Sequence, residues 1–193
     1  MTRRGSDILR RLKVLDTTSV FLIGPMGSGK TAVGRYLARL MRYSFYDSDV
    51  DVEKRTGVDI PFIFEKEGEA GFRLRESESI DRLTRMPGIV LATGGGAIIS
   101  PQNRGYLTQR GTVVYLLTSI QQQLERTRHG RQRPLLNDTD PEIRLRELMA
   151  QRSALYEEIA DITVSTDDRR AQIVAQQIHE EMQRDRGLRP NGA

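Results

Sequence analysis

The apolar run Ser19-Val20-Phe21-Leu22-Ile23 leads into Gly24-Pro25-Met26-Gly27-Ser28-Gly29-Lys30-Thr31, and a helical stretch follows to Met41. This octapeptide satisfies GxxxxGK[ST] in full, between a strand and a helix, which is the context that gives the pattern meaning. Its glycines let backbone N–H groups converge on an anion, and the helix N-terminus adds its dipole. Lys30 is placed to reach β- and γ-phosphates, and the Thr31 hydroxyl to ligate Mg²⁺. A turn that merely packs would leave Lys30-Thr31 unexplained.

The rest of the chain alternates in kind. Short β-branched or apolar runs recur at 19–23, 44–46, 89–92, 112–117 and 162–165. Helical stretches between them are predicted at 29–41, 69–86, 143–159 and 171–182. Asp59-Ile60-Pro61, Ser100-Pro101 and Asp140-Pro141 each set a capping residue beside a proline near a helix start. The pattern predicts an α/β fold with a mostly parallel, buried sheet. With 193 residues the chain is one domain long and buries roughly 70 % of its unfolded surface without a staple. The expected division is a basic extension at 1–16, one domain at 17–186 and a tail at 187–193. Residues 126–140, with Gly130 and Pro134, read as a mobile lid over a site.

Composition removes several functions. There is no cysteine, so disulfides, a thiol nucleophile and thiolate metal sites are excluded, and two histidines, His129 and His179, make no metal cluster. No run approaches the roughly 18 apolar residues of a membrane span, and the start is too charged for a secretory signal. A soluble, cytoplasmic protein is expected. The net charge of +4 invites a nucleic-acid reading, but its placement argues against one. Residues 1–16 carry +3, so the remaining 177 carry only +1. The arm could be a short packed helix, an anionic-surface binder, a misassigned start or a plain extension.

A second set of residues suggests an acceptor site. Asp47-Ser48-Asp49 ends the second strand. If that end is extended, both carboxylates point the same way, one toward Mg²⁺ and one toward a hydroxyl proton. An Asx turn capping the next helix is the alternative. Arg73 and Glu76 are i, i+3 neighbours, either a surface pair or a carboxylate orienting an arginine. Gly94-Gly95-Gly96 follows a strand and offers bare backbone where open α/β sheets bind ligands. The run 89–92 leads to glycines and not to an acid, and no NKxD motif is present. A small-molecule kinase that must exclude water fits this set better than a motor or a switch.

These pieces stand in a fixed order: the phosphate loop, Asp47-Ser48-Asp49, Phe72-Arg73-Leu74-Arg75-Glu76, Gly94-Gly95-Gly96, Arg133-Pro134-Leu135-Leu136 and Arg152-Ser153-Ala154-Leu155-Tyr156. The series resembles the shikimate kinase family over about residues 17–182. The resemblance implies a P-loop kinase fold like that of the nucleoside-monophosphate kinases, with five parallel strands in the order 2-3-1-4-5. It implies transfer of phosphate from ATP to the shikimate 3-hydroxyl, a step toward aromatic amino acids. By resemblance Asp49, Lys30 and Arg133 are catalytic. Gly27, Ser28, Gly29, Lys30, Thr31, Ala32, Arg126, Arg133 and Arg170 bind ATP. Asp49, Arg73, Gly94, Gly95, Gly96, Arg152, Phe64 and Phe72 bind shikimate, and Thr31 and Asp47 hold Mg²⁺. The implied partners are shikimate and ATP, with no nucleic acid and no membrane, and the implied state is a cytoplasmic monomer. A related kinase of another polyol acid, such as gluconate, and a non-enzymatic nucleotide-binding module are the competing readings.

Overall fold

The computed structural model describes residues 18–128 and 140–188. The basic arm at 1–16, Arg133 with the rest of the 133–136 motif, and the chain beyond 188 lie outside the described residues. Five strands, β1 (Ser19–Ile23), β2 (Ser44–Asp47), β3 (Ile89–Ala92), β4 (Gly111–Leu117) and β5 (Ile162–Ser165), pair in parallel in the order β2-β3-β1-β4-β5. That is the expected order. The helices are α1 (Lys30–Met41), α2 (Ser48–Thr56), α3 (Ile60–Thr84), α4 (Pro101–Arg110), α5 (Ile120–Thr127), α6 (Pro141–Ile159) and α7 (Ala171–Leu188), with a 3₁₀ turn at Ala97–Ile99. No helix among them is long and apolar enough to cross a membrane.

Strand periodicity divides the core. On β1, Val20 and Leu22 face one side with Val33 and Leu37 of α1 and Val174 and Ile178 of α7. Phe21 and Ile23 face the other side, against Ile80 and Leu83 of α3, Leu107 of α4 and Tyr156 of α6. Both faces of the sheet are therefore covered, which is why β1 and β3 are buried throughout and apolar but for Ser19. A smaller cluster of Val52, Ile63 and Phe72 joins α2 to α3 beside the sheet.

The proline-flanked caps are all in use. Asp59 accepts from Phe62 N, Ser100 from Asn103 N and Asp140 from Glu142 N. Two boundaries differ from expectation. The helix predicted at 69–86 is the second half of α3, which continues through a kink at Gly68 (φ 68°, ψ −175°). The helix predicted at 171–182 runs on to Leu188, into the expected tail.

β1 lies between β3 and β4, so the chain leaves it in opposite directions on its two sides. In an open parallel sheet this reversal opens a crevice at the carboxyl ends of the strands. The segments after β1, β2 and β3 all end there.

Candidate active site

The loop between β1 and α1 is shaped by glycines that only a missing Cβ allows. Gly27 and Gly29 take φ of 78° and 85°. A Cβ on Gly27 would meet Gln123 Cα at 3.2 Å. Gly29 precedes α1 with no side-chain cap, so the amides of the first turn are left for a ligand. Ser28 is fully buried under the loop. The Lys30 ammonium curls back and donates to Gly24 O and Pro25 O, both at 2.7 Å, and to Ser28 Oγ at 3.2 Å.

Beside it, the Thr31 hydroxyl donates to Asp47 Oδ2 at 2.9 Å. Asp47 ends β2 and caps α2, accepting from Asp49 N at 3.1 Å. Of the two readings of Asp47-Ser48-Asp49, an extended strand end and an Asx cap, the structure has the second. The chain turns helical at Ser48, and the Asx cap forms. The two carboxylates are divided between a strand end and a first helical turn, yet both reach the same cleft. Thr31 and Asp47 form a pair of hard oxygen donors that suits Mg²⁺, an ion commonly held by one or two protein oxygens together with phosphates.

Asp49 is half-buried and faces Glu76. Burial pushes its carboxyl up to about 7, and the charges of Glu76 and Asp47 add to the rise, while Lys30 opposes it. Ser48 lies beneath, its Oγ accepting from Gly94 N at 2.9 Å.

Arg73 and Glu76 are no surface pair. Arg73 Nη1 donates to Glu76 Oε2 at 2.7 Å, and Glu76 is 1 % exposed. Arg73 also donates from Nη2 to Glu69 Oε1 at 2.9 Å. Burial pushes the Glu76 carboxyl up, against the pull of Arg73. Arg152, on α6, is 6 % exposed. Among the described residues it forms no ion pair, and its Nε has no hydrogen-bond acceptor. Burial, with Arg73 nearby, pulls its pKa below the usual arginine value. A half-buried and a buried guanidinium therefore stand close together. Arg152 feels the Glu69 and Glu76 carboxylates but is in no ion pair with either among the described residues, so the pair has room for a further anion.

The glycine turn after β3 closes the ring. A Cβ on Gly94 would lie 2.4 Å from Glu76 Oε1 and 2.8 Å from Asp49 Oδ1, and one on Gly96 2.4 Å from Arg73 Nη2. Phe64 and Phe72, with ring centroids 5.0 Å apart, form an apolar wall. The open cleft has a volume of about 560 Å³. All the described residues expected to bind line it except Ser28, underneath the loop, and Arg170, exposed at the start of α7. Arg126 ties the phosphate loop to the β5–α7 link, donating to Gly27 O at 3.1 Å and Thr166 O at 2.6 Å.

Sequence reasoning gave no role to Ser48, Glu53 or Tyr156. Glu53 lines the cleft and accepts from Ile60 N at 3.1 Å. Tyr156 donates to Gly95 O at 2.5 Å. The signals for Tyr156 are its place in the Arg152–Tyr156 motif and its position one turn after Arg152 on the same helix face.

The family model for shikimate kinase matches residues 26–183. The shikimate kinase of Halorhodospira halophila is 56% identical over 164 residues, 85% of this chain and 93% of the relative. That of Vibrio cholerae (strain O395) is 54% identical over 160 residues, covering 83% and 92%. The structure of the Acinetobacter baumannii shikimate kinase in complex with shikimate superposes with a TM-score of 0.86 at 48% identity, over 89% of this chain and 96% of that one. With the phosphate loop, the acidic pair and the two arginines in one cleft, the chain belongs to the shikimate kinase family.

Proposed function

We propose that the chain transfers the γ-phosphoryl group of ATP to the 3-hydroxyl of shikimate, giving shikimate 3-phosphate and ADP. The observation that carries this is the pair of half-buried Arg73 and buried Arg152 lining one cleft with Asp49, with the phosphate loop at its edge. The arginines match an acceptor carboxylate, and Asp49 matches its hydroxyls. Phe64 and Phe72 offer an apolar face to the ring.

Phosphoryl transfer demands positioning and charge stabilisation more than covalent chemistry. Asp49 orients the attacking oxygen and accepts its proton. Lys30 exchanges its bonds to Gly24 O and Pro25 O for the β- and γ-phosphates, and the loop amides complete the cradle. Thr31 and Asp47 would hold Mg²⁺, which when bound neutralises charge on the phosphates. Arg126, beside the loop, flanks the nucleotide. Arg133 and Arg170 enter this reading from the family motifs alone. The reading keeps residues 17–186 as one kinase domain with a lid at 126–140, acting as a cytoplasmic monomer without nucleic acid or membrane.

The test is a coupled ADP-release assay with Mg-ATP and millimolar shikimate or gluconate. Turnover with shikimate and little with gluconate is expected. No turnover with shikimate would sink the reading.

A further inference from the structure

Tyr156 is fully buried, and its ring stacks on Tyr115 with centroids 5.0 Å apart. The two phenols differ at their tips. The Tyr115 hydroxyl is buried and has no hydrogen-bond partner among the described residues. The Tyr156 hydroxyl donates to Gly95 O at 2.5 Å. Arg152, one turn earlier on α6, interacts with the same phenol oxygen. A buried hydroxyl aimed at a backbone carbonyl of the cleft lining does more than fill the core.

The consequence runs through one peptide plane. Gly95 C=O and Gly96 N–H belong to the same peptide, and no cis bond occurs in the described chain. In a trans peptide they point in opposite directions. A bond that fixes the carbonyl on the α6 side therefore aims Gly96 N–H the other way. That N–H has no partner among the described residues. Gly96 lines the cleft, next to the Arg73 guanidinium. A Cβ on Gly95 would lie 3.5 Å from both Gly24 O and Met26 N, so Gly95 stands beside the phosphate loop.

We propose that Tyr156 is a positioning residue that locks the Gly95–Gly96 peptide so that its N–H, together with Arg152 and Arg73, receives the acceptor's anionic group. The inference rests on the shikimate kinase reading for the identity of that acceptor. It makes one helix, α6, responsible for two donors of the grip: the Arg152 fork directly and a backbone amide through Tyr156.

The sequence makes the test clean. Residues 94–96 hold the only consecutive glycines in the chain. Labelling glycine with ¹³C at the carbonyl and ¹⁵N at the amide leaves two correlations in an HNCO spectrum. They are the amides of Gly95 and Gly96, and the second reads the Gly95 carbonyl. In Tyr156→Phe the Gly95 carbonyl resonance should move upfield, with Tm within a few degrees of the parent. The KM for shikimate should rise about two- to tenfold, the worth of one neutral hydrogen bond, with the KM for ATP unchanged. Tyr115→Phe should leave both constants as they are. A still carbonyl, or a shifted carbonyl with an unchanged shikimate KM, overturns the proposal. Should Tyr156→Phe not fold, the parent decides: saturating shikimate must move the Gly96 amide, and a stationary peak overturns the role. A parent that binds no shikimate at all refutes the functional reading instead.

Discussion

In the proposed reaction Asp49 serves chemistry at the expense of the fold. Its carboxyl titrates near 7 in the folded chain against 3.8 for the unperturbed group, first because of burial and then because of Glu76 and Asp47. The folded state thus holds this proton more tightly than the unfolded one. The stabilisation is full below about pH 4 and is lost as pH rises through 7. Asp49→Asn removes the buried charge. We expect kcat to fall by at least ~100-fold, with nucleotide binding retained. The ligand-free variant should exceed the parent in stability at pH 8 by roughly 1–4 kcal/mol, with the gap closing toward pH 4. Chemical denaturation at the two pH values checks this, and equal stability at pH 8 would remove the buried charge from the account. Arg73→Lys keeps the charge but loses the fork to Glu76 and Glu69. The acceptor KM should rise about 10–100-fold, read by initial rates. Little change would mean Arg73 serves only the helix. The residue types of this site were legible in the sequence, but their burial was not. An Arg–Glu pair three apart looks the same whether it is on a surface or, like Glu76, at 1 % exposure.

Elements were read well where a start signal stands in the sequence. Asp59, Ser100 and Asp140 cap as predicted because a short polar side chain before a proline has few other good options. Continuity was harder to read. Gly68 interrupts α3 with a backbone conformation that side-chain-bearing residues rarely adopt; the helix start at Asp59 and the helix from 69 are legible in the sequence, but not that one element runs through both. The Glu67 carboxylate spans the kink to Arg75, which donates to it from Nε at 2.9 Å and Nη2 at 2.6 Å. The earlier half carries Phe64 and Ile60 to the cleft wall. Nothing lies within 4 Å of a Cβ placed on Gly68, so a substitution there meets strain and not crowding. Gly68→Ala should cost about 1–3 kcal/mol, measured by urea unfolding, and should raise the shikimate KM by displacing Phe64. A neutral result would show that the kink relaxes freely. The turn from β2 into α2 at Ser48 stood in the sequence as one of two readings. Alternating Asp-Ser-Asp suits an extended strand and an Asx cap equally, and only the packed structure selects the cap.

At the scale of the molecule, the α/β class with a parallel sheet followed from the alternation of runs, the strand order from the family resemblance alone, and the cleft from the rule for open parallel sheets. The charge balance divides in the same way. The described body is close to neutral, and most of the excess lies on residues 1–16. The cleft is lined from Met26 onward. Removing residues 1–16 should therefore leave both KM values and kcat within about twofold of the parent. A larger loss would assign the arm to the catalytic body. Gly94, Gly95 and Gly96 line the cleft together. None of the three has positive φ, so they are present for room and not for flexibility. A full mutational scan of the turn should return a sharp pattern. Alanine should be accepted at the middle position, where the nearest atoms are 3.5 Å away, and rejected on either side, where a methyl group would press into Glu76 or Arg73. The run that looks most pliable in the sequence would then act as a spacer, holding an acid, a base and a cation apart by the thickness of a missing side chain.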